Sequence, residues 1–311
     1  MTVRYAIGFL SVAATAALTL PAGAVGVTVA QADLPTCIAS DGSNPAPTIV
    51  GTNRGDVLVG TPGDDVILGL RGDDVVRARG GDDIVCSSLG ADRIVGGTGG
   101  DVLDGADTDL ADVVAGGGVT ADKGDRLLGG RGADDMFGLD GNDRAEGGPG
   151  SDLVQGERGT DRIVGGRGPD ILVAGYSPDD VTGRDLAIGG GGDDLLVGSG
   201  DRDLLMAGRG SDVLNGADGG DTLVAGKGDD VATFFPDDSG DVLENGDDII
   251  LGGRGDDGLD GGPGVDLVNG GLGTDSCRHA EQVHRCEQTG ALATRLGARL
   301  SSLGELLYGR G

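Results

Sequence analysis

The sequence predicts an all-β fold of the solenoid type, built from short repeated strands. Five aspartates recur at nine-residue intervals, each with a Gly two residues before it and an aliphatic residue two residues after it: Asp65, Asp74, Asp83, Asp92 and Asp101. A fixed period of this kind indicates a repeat architecture. The 311 residues include 67 glycines and only 2% aromatic residues, too little bulk for a conventional core. The net charge of -29 favours disorder unless a counter-charge is bound.

The N-terminal region reads as an export signal followed by a short cap. Residues 1–32 have the pattern of a secretory signal peptide, with Arg4 before an apolar stretch and small residues at Ala30 and Ala32. The mature chain then begins near Asp33, although a second small-residue pair around Gly23 is a competing cleavage point. Residues 33–55 form an N-terminal cap, in which residues 48–51 predict a first strand.

The repeats occupy residues 56–277 and are interrupted by insertions near residues 104–124, 176–184 and 233–247. A solenoid absorbs insertions as loops without disturbing neighbouring turns. Ser239 falls in the nine-residue phase and predicts a degenerate rung. The aspartates that keep the period are Asp56, Asp65, Asp74, Asp83, Asp92 and Asp101, then Asp125, Asp134, Asp143, Asp152, Asp161 and Asp170, then Asp185, Asp194, Asp203, Asp212, Asp221 and Asp230, and finally Asp248, Asp257, Asp266 and Asp275.

The C-terminal region, residues 278–311, predicts a disulfide loop and a short amphipathic helix. Leucines between residues 290 and 308 recur at intervals of four, four, three and four, which is a helical spacing. The main interpretation is a helix that caps the last rung. Membrane contact is not expected, because few basic residues flank the leucine stripe.

One unit can be divided into six loop residues and three strand residues. Strand alternation then points a single aliphatic side chain inward, such as Ile67 or Val76, and leaves its neighbours outward. The loop glycines allow a positive φ and bring carbonyl groups close together, while the Asp adds a carboxylate. Carboxylate and carbonyl oxygens are the ligands of Ca²⁺. Geometry and chemistry therefore both predict calcium sites in the loops.

The repeat resembles the RTX, or haemolysin-type, calcium-binding nonapeptide, G-G-x-G-x-D-x-aliphatic-x. Its clearest full unit here runs from Gly96 to Asp104. The resemblance implies a right-handed parallel β-roll with two units per turn, in which calcium lies between successive loops of one edge. It places Asp65, Asp83 and Asp101 on one edge and Asp74 and Asp92 on the other.

The metal ligands that the resemblance implies are the in-phase aspartates. They are Asp65, Asp74, Asp83, Asp92, Asp101, Asp125, Asp134, Asp143, Asp152, Asp161, Asp170, Asp194, Asp212, Asp221, Asp230, Asp248, Asp257, Asp266 and Asp275.

Several units depart from the pattern. Asp201 and Arg54 replace the loop glycine before Asp203 and Asp56, and Ser239 removes a carboxylate, so weak or empty sites are expected there. Alanine fills three inward positions, at residues 145, 187 and 232. The other Asp of the Gly-Asp-Asp units, which directly precedes the in-phase one, is expected to be a solvated outward charge: Asp64, Asp73, Asp82, Asp193, Asp229 and Asp256.

Four cysteines lie at the two ends of the repeats and predict two disulfides in an exported chain: Cys37, Cys86, Cys277 and Cys286. The pairs 37–86 and 277–286 would staple the ends, although four cysteines allow three connectivities. Cys277 and Cys286 with the nearby His279 and His284 could instead bind zinc.

The predicted function is that of a secreted, non-enzymatic protein that binds several Ca²⁺ ions and folds on binding them. Only two histidines are present, and no nucleophile or zinc-protease motif appears. The acidic balance disfavours nucleic acid, and the regular outward Thr array of an ice-binding roll is absent. A calcium-dependent surface adhesin or cell-envelope spacer is the alternative, and its partner is not indicated. The excess of Arg over Lys, with abundant Gly and Ala, favours a GC-rich bacterium such as an actinobacterium.

Overall fold

The computed structural model describes Cys37 and residues 43–105, 124–175, 183–232, 247–262, 264–286 and 288–289. The predicted signal peptide, the predicted C-terminal helix and the interiors of the three predicted insertions lie outside these residues. No described stretch forms a helix with the length and hydropathy of a membrane span.

The described residues form two parallel sheets in an all-β solenoid. The 13-stranded sheet contains, in spatial order, β1 (Ile49–Val50), β3 (Val66–Leu68), β5 (Ile84–Cys86), β7 (Val102–Asp104), β9 (Asp135–Asp140), β11 (Leu153–Arg158), β13 (Ile171–Val173), β15 (Leu195–Val197), β17 (Val213–Asn215), β19 (Val231–Ala232), β21 (Gly258–Asp260), β23 (Ser276–Arg278) and β25 (Gln288–Thr289). The 12-stranded sheet contains β2 (Val57–Val59), β4 (Val75–Gly80), β6 (Arg93–Thr98), β8 (Arg126–Arg131), β10 (Arg144–Pro149), β12 (Arg162–Arg167), β14 (Leu186–Gly191), β16 (Leu204–Arg209), β18 (Thr222–Lys227), β20 (Ile249–Arg254), β22 (Leu267–Leu272) and β24 (Gln282–His284).

Each strand pairs with the strand two positions along the chain, so two nonapeptide units make one turn, as the sequence predicted. Ile67 of β3, for example, lies opposite Val85 of β5, which in turn lies opposite Leu103 of β7. All three side chains are fully buried between the sheets. The single inward aliphatic residue of each unit therefore stacks into a continuous column, and these columns form the core.

The two sheets differ in a way that the sequence did not predict. Most strands of the 12-stranded sheet have six residues, whereas most strands of the 13-stranded sheet have the expected three. The longer strands place a second residue inward, and this residue is small, as with Ala78, Ala207 and Ala225. The thin core between the sheets leaves no room for a larger side chain there.

The insertions leave the strand register intact. Arg93 of β6 lies opposite Arg126 of β8, across the first insertion, and Arg162 of β12 lies opposite Leu186 of β14, across the second. Across the third, β18 pairs directly with β20 and β19 with β21. No further strand can therefore lie between these paired strands. The rung predicted at Ser239 was wrong.

Disulfides link both ends of the solenoid. Cys37 bonds to Cys86 at the end of β5, and Cys277 of β23 bonds to Cys286, with Cα–Cα distances of 5.8 and 5.9 Å. These are the two pairs that would staple the ends. The zinc alternative was wrong, because the two sulfurs that it requires are bonded to each other.

Candidate metal centre

The in-phase aspartates form two buried rows along the two edges of the solenoid. The first carboxylate row precedes the odd-numbered strands and contains Asp65, Asp83, Asp101, Asp134, Asp152, Asp170, Asp194, Asp212, Asp230, Asp257 and Asp275. The second carboxylate row precedes the even-numbered strands and contains Asp56, Asp74, Asp92, Asp125, Asp143, Asp161, Asp185, Asp203, Asp221, Asp248 and Asp266. The structure therefore brings all the predicted ligands together on two edges, with Asp65, Asp83 and Asp101 on one and Asp74 and Asp92 on the other.

One oxygen of each carboxylate links neighbouring turns. Oδ1 of Asp83 accepts a hydrogen bond from the backbone N–H of Asp65, and the same bond repeats along the first row at 2.8–3.0 Å. The second row repeats it at 2.6–3.0 Å. These bonds fix the orientation of the side chains in both rows, apart from the first of each row, where Thr48 donates to Asp65 and Thr52 to Asp56.

The other oxygen, Oδ2, is buried and accepts no hydrogen bond in many turns. Those of the first row are Asp83, Asp101, Asp134, Asp152, Asp170, Asp194, Asp212, Asp230 and Asp257, and those of the second row are Asp74, Asp221 and Asp266. A buried carboxylate oxygen without a hydrogen-bond partner destabilises the folded state, and its recurrence in turn after turn requires an explanation. A cation at Oδ2 would supply it.

Five residues before most of these aspartates, a glycine leaves space next to Oδ2, whereas Ala78, Ala207 and Ala225 hold this position before Asp83, Asp212 and Asp230. In the turn of Asp194, a Cβ placed on Gly189 would lie 2.5 Å from Oδ2 of Asp194 and 2.7 Å from the carbonyl oxygen of Ala207 in the next turn. A Cβ at Gly189 would force these oxygens to move, since real Cβ atoms do not approach other atoms within 3.0 Å. The glycine keeps open a small space bordered by a carboxylate oxygen and a carbonyl oxygen, the two kinds of Ca²⁺ ligand.

The residue four positions before the aspartate has a left-handed backbone in these turns. It is usually a glycine, as at Gly190, but Leu70 and Ala217 adopt φ values of 74° and 68° before Asp74 and Asp221. Non-glycine residues rarely adopt this conformation, so its recurrence marks a turn shape imposed by the repeat.

Carbonyl groups must contribute to any cation site here. Within the described part of the chain, no group of three or more His, Cys, Asp or Glu side chains is arranged to hold a metal ion. Each turn offers one carboxylate at a given point, so the remaining ligands would be backbone oxygens. Hard oxygen ligands of this kind suit Ca²⁺ and do not suit the softer transition metals.

Burial raises the pKa of these carboxyl groups. The pKa of Asp134 is raised to about 7 and that of Asp221 to about 9, chiefly because burial disfavours the charged form. A backbone N–H bond acts in the opposite direction, and neighbouring carboxylates of the same row raise the pKa further. Two ionised neighbours at the strand spacing of about 4.8 Å would repel by about 3 kcal/mol at an effective dielectric constant of about 20. A divalent cation would offset both effects.

The Asp that directly precedes the in-phase one in the Gly-Asp-Asp units has a structural contact that the sequence did not reveal. These side chains are exposed, as predicted, but Oδ1 of Asp64 accepts the backbone N–H of Asp82 in the next turn. Asp193 does the same for Ser211, and Asp256 for Thr274. Their hydrogen bonds run in the opposite direction to those of the two buried rows, and they tie adjacent turns together from outside.

The rows end in residues that lie outside the nine-residue pattern. Glu281 accepts the backbone N–H of Asp266 at 2.8 Å and closes the second row. At the other end, the Thr48 hydroxyl donates to Oδ1 of Asp65 at 3.1 Å, beside Pro47, which has no N–H to give. The sequence signal for both is weak, since each is a single residue out of phase.

A model of the RTX calcium-binding nonapeptide repeat, four copies long, matches the chain along most of the solenoid. The matched residues are 50–85, 87–118, 121–145, 137–172, 181–214, 197–232 and 244–277. No curated protein matches the chain. Two rows of buried aspartates in a parallel β-solenoid fit a calcium-binding repeat protein. The chain belongs to the RTX calcium-binding nonapeptide repeat family.

Proposed function

We propose that this chain is a secreted protein that binds several Ca²⁺ ions in the turns of its two carboxylate rows and folds on binding them. The observation that carries the proposal is the repeated buried Oδ2 without a hydrogen-bond partner, which in most turns lies next to a space left open by a glycine. The proposed ligands are the in-phase aspartates with these free oxygens, together with backbone carbonyls of neighbouring turns. The ions would act as structural counter-charges, and no catalytic role is proposed.

Coupling between calcium and folding follows from charge and core size. The chain has a net charge of -29, and its core consists of one aliphatic column per sheet with alanine and glycine beside it. Such a core contributes little against chain entropy and carboxylate repulsion. Calcium that binds only the folded turns would add free energy to the folded state alone. We expect an affinity of about 10⁻⁴ to 10⁻³ M, as in other extracellular calcium modules.

The test is a calcium titration of the purified chain after chelation, followed by far-UV circular dichroism. We expect a cooperative gain of β-sheet signal at millimolar calcium. Magnesium is the matched control, because it prefers a smaller octahedral site and retains its waters. A β-sheet spectrum that is already complete without calcium, or that magnesium restores equally well, would contradict the proposal.

Secretion is supported by the pattern of residues 1–32 and by the two disulfides, which form in oxidising compartments. N-terminal sequencing of chain recovered from culture medium is expected to begin near Asp33. Recovery of the chain only inside cells, with its N-terminus intact, would contradict this part of the proposal.

A cell-envelope spacer is the second candidate, and the rod shape favours it. Thirteen strands in one continuous sheet, at about 4.8 Å each, give a length of roughly 60 Å. A rod that is rigid only with calcium could hold two parts of an envelope at a fixed distance. Release of the chain from intact cells by a calcium chelator would support this role, and a chain found only free in the medium would refute it.

A further inference from the structure

Three turns differ from all the other described turns in how they treat the buried aspartate. In these turns the residue four positions before the aspartate is Thr or Ser: Thr52 before Asp56, Thr61 before Asp65 and Ser199 before Asp203. None of the three has the left-handed backbone that this position adopts in the other described turns, including the turn of Asp92, where the residue is also a serine but Ser88 has a φ of 69°. We call these the hydroxyl turns.

The hydroxyl turns already satisfy Oδ2. The backbone N–H of Ser199 donates to Oδ2 of Asp203 at 2.6 Å, and its hydroxyl donates to the same atom at 2.9 Å. Thr52 makes the same two bonds to Asp56, at 2.7 and 2.8 Å. Thr61 donates its N–H to Asp65 at 2.6 Å and turns its hydroxyl to the carbonyl of Gly63.

The difference lies in the backbone as well as in the side chain. A residue at this position without a left-handed backbone points its N–H at the carboxylate, whereas a left-handed one leaves Oδ2 without a hydrogen bond, as before Asp194, where Gly190 has a φ of 120°. The donors in a hydroxyl turn occupy the face of Oδ2 that a cation would need. Binding a cation there would require breaking one or two hydrogen bonds to a carboxylate, which are stronger than those between neutral groups.

We propose that the hydroxyl turns are closed to calcium, and that they are closed by a Thr or Ser four residues before the aspartate whose backbone is not left-handed. This inference rests on the proposed calcium binding by the other turns. It removes Asp65 from the ligands predicted from the sequence, and it gives a physical reason why Asp56 and Asp203 are poor sites.

The hydroxyl turns also supply, from the chain itself, the contacts that calcium supplies elsewhere. Two of them begin the two rows, next to the Cys37–Cys86 disulfide and the Thr48 hydroxyl bond to Asp65. The N-terminal end is therefore held by protein contacts before any cation binds. The third, at Ser199, lies in the middle of the roll.

Exchange of the two turn types tests the proposal. Ser199→Gly removes both the hydroxyl and the constraint on φ, and we expect equilibrium dialysis to find at least one more calcium ion per full chain than in the wild type. Gly190→Thr makes the opposite change four residues before Asp194, and we expect at least one ion fewer, because a β-branched residue resists the left-handed backbone that Ser88 adopts. An unchanged count in both variants would overturn the proposal.

A second pair of variants keeps the test valid if an exchanged turn does not fold. Asp203→Asn and Asp194→Asn make the same chemical change in a hydroxyl turn and in an open turn. We expect the calcium count to fall for Asp194→Asn and to stay constant for Asp203→Asn. An equal fall in both would overturn the inference alone, whereas a wild-type chain that binds no calcium would overturn the proposed function itself.

Discussion

The space next to Oδ2 of Asp194 can be tested with two glycines of the same turn. Gly189→Ala would place a methyl group 2.5 Å from that oxygen and 2.7 Å from the carbonyl oxygen of Ala207, in the space proposed for calcium. Gly191→Ala, two residues along, would meet nothing within 4 Å. Neither glycine has a left-handed φ, so backbone strain does not separate the two variants.

The structure gives the size of the expected difference. Both substitutions restrict the unfolded chain and stabilise the fold by about 0.4–1 kcal/mol. Only Gly189→Ala must also move two oxygens apart by roughly 1 Å, an overpacking that costs about 1–3 kcal/mol. The difference between the variants is therefore about 1–3 kcal/mol, or roughly 2–12 °C in Tm for a solenoid of this size. The Gly189→Ala variant should also lose the calcium ion proposed to bind next to Oδ2 of Asp194.

The assay is thermal unfolding of both variants in saturating calcium, together with a calcium count by equilibrium dialysis. We expect Gly191→Ala to match or exceed the wild-type Tm with an unchanged count, and Gly189→Ala to fall below it with at least one ion fewer. Equal Tm values and equal counts for the two variants would refute the view that this space holds a cation.

Three further predictions concern protons, the end of a row and the core. Without calcium, folding should take up protons, because the pKa of buried carboxyl groups is raised in the folded state, to about 7 at Asp134. Circular dichroism of the calcium-free chain should therefore show most β-sheet below about pH 4 and a loss of β-sheet as the pH rises through 7. A β-sheet signal that does not change with pH would contradict this prediction. Glu281→Ala should cost about 1 kcal/mol in urea unfolding, because the N–H of Asp266 loses its acceptor, with Glu281→Gln close to wild type. Ile163→Ala should cost about 2–5 kcal/mol in the same assay, because its neighbours in the column, Ala145 and Ala187, are too small to fill the cavity.

The periodic part of the sequence was enough to predict the solenoid, the two edges and the inward column. Asp83 and Ile84–Cys86, for example, lie where the nine-residue spacing puts them. The number of strand residues per unit could not be predicted, because it depends on how closely the two sheets approach at positions such as Ala78. Glu281 was missed because it follows Asp266 by 15 residues, out of phase with the repeat.

The prediction at Ser239 failed for a related reason. Phase in the sequence shows where a unit could lie, but only strand pairing decides whether it joins the ladder. The turn at Ser199 is a further case: Ser199 donates to Oδ2 of Asp203, whereas Ser88, at the same position before Asp92, has a left-handed φ of 69°, and the residue type alone does not give φ. The nine-residue period does not determine the backbone conformation of single loop residues.

The hydrogen bond between successive aspartates of a row has the same length whether few or many residues connect them. The N–H of Asp74 reaches Asp92 over 18 residues, and the N–H of Asp92 reaches Asp125 over 33, at the same distance of 2.7 Å. The connection after Asp104 is therefore a natural grafting point. A foreign peptide placed there would leave the pairing of the flanking turns unchanged, and it would be displayed at a fixed height on the rod.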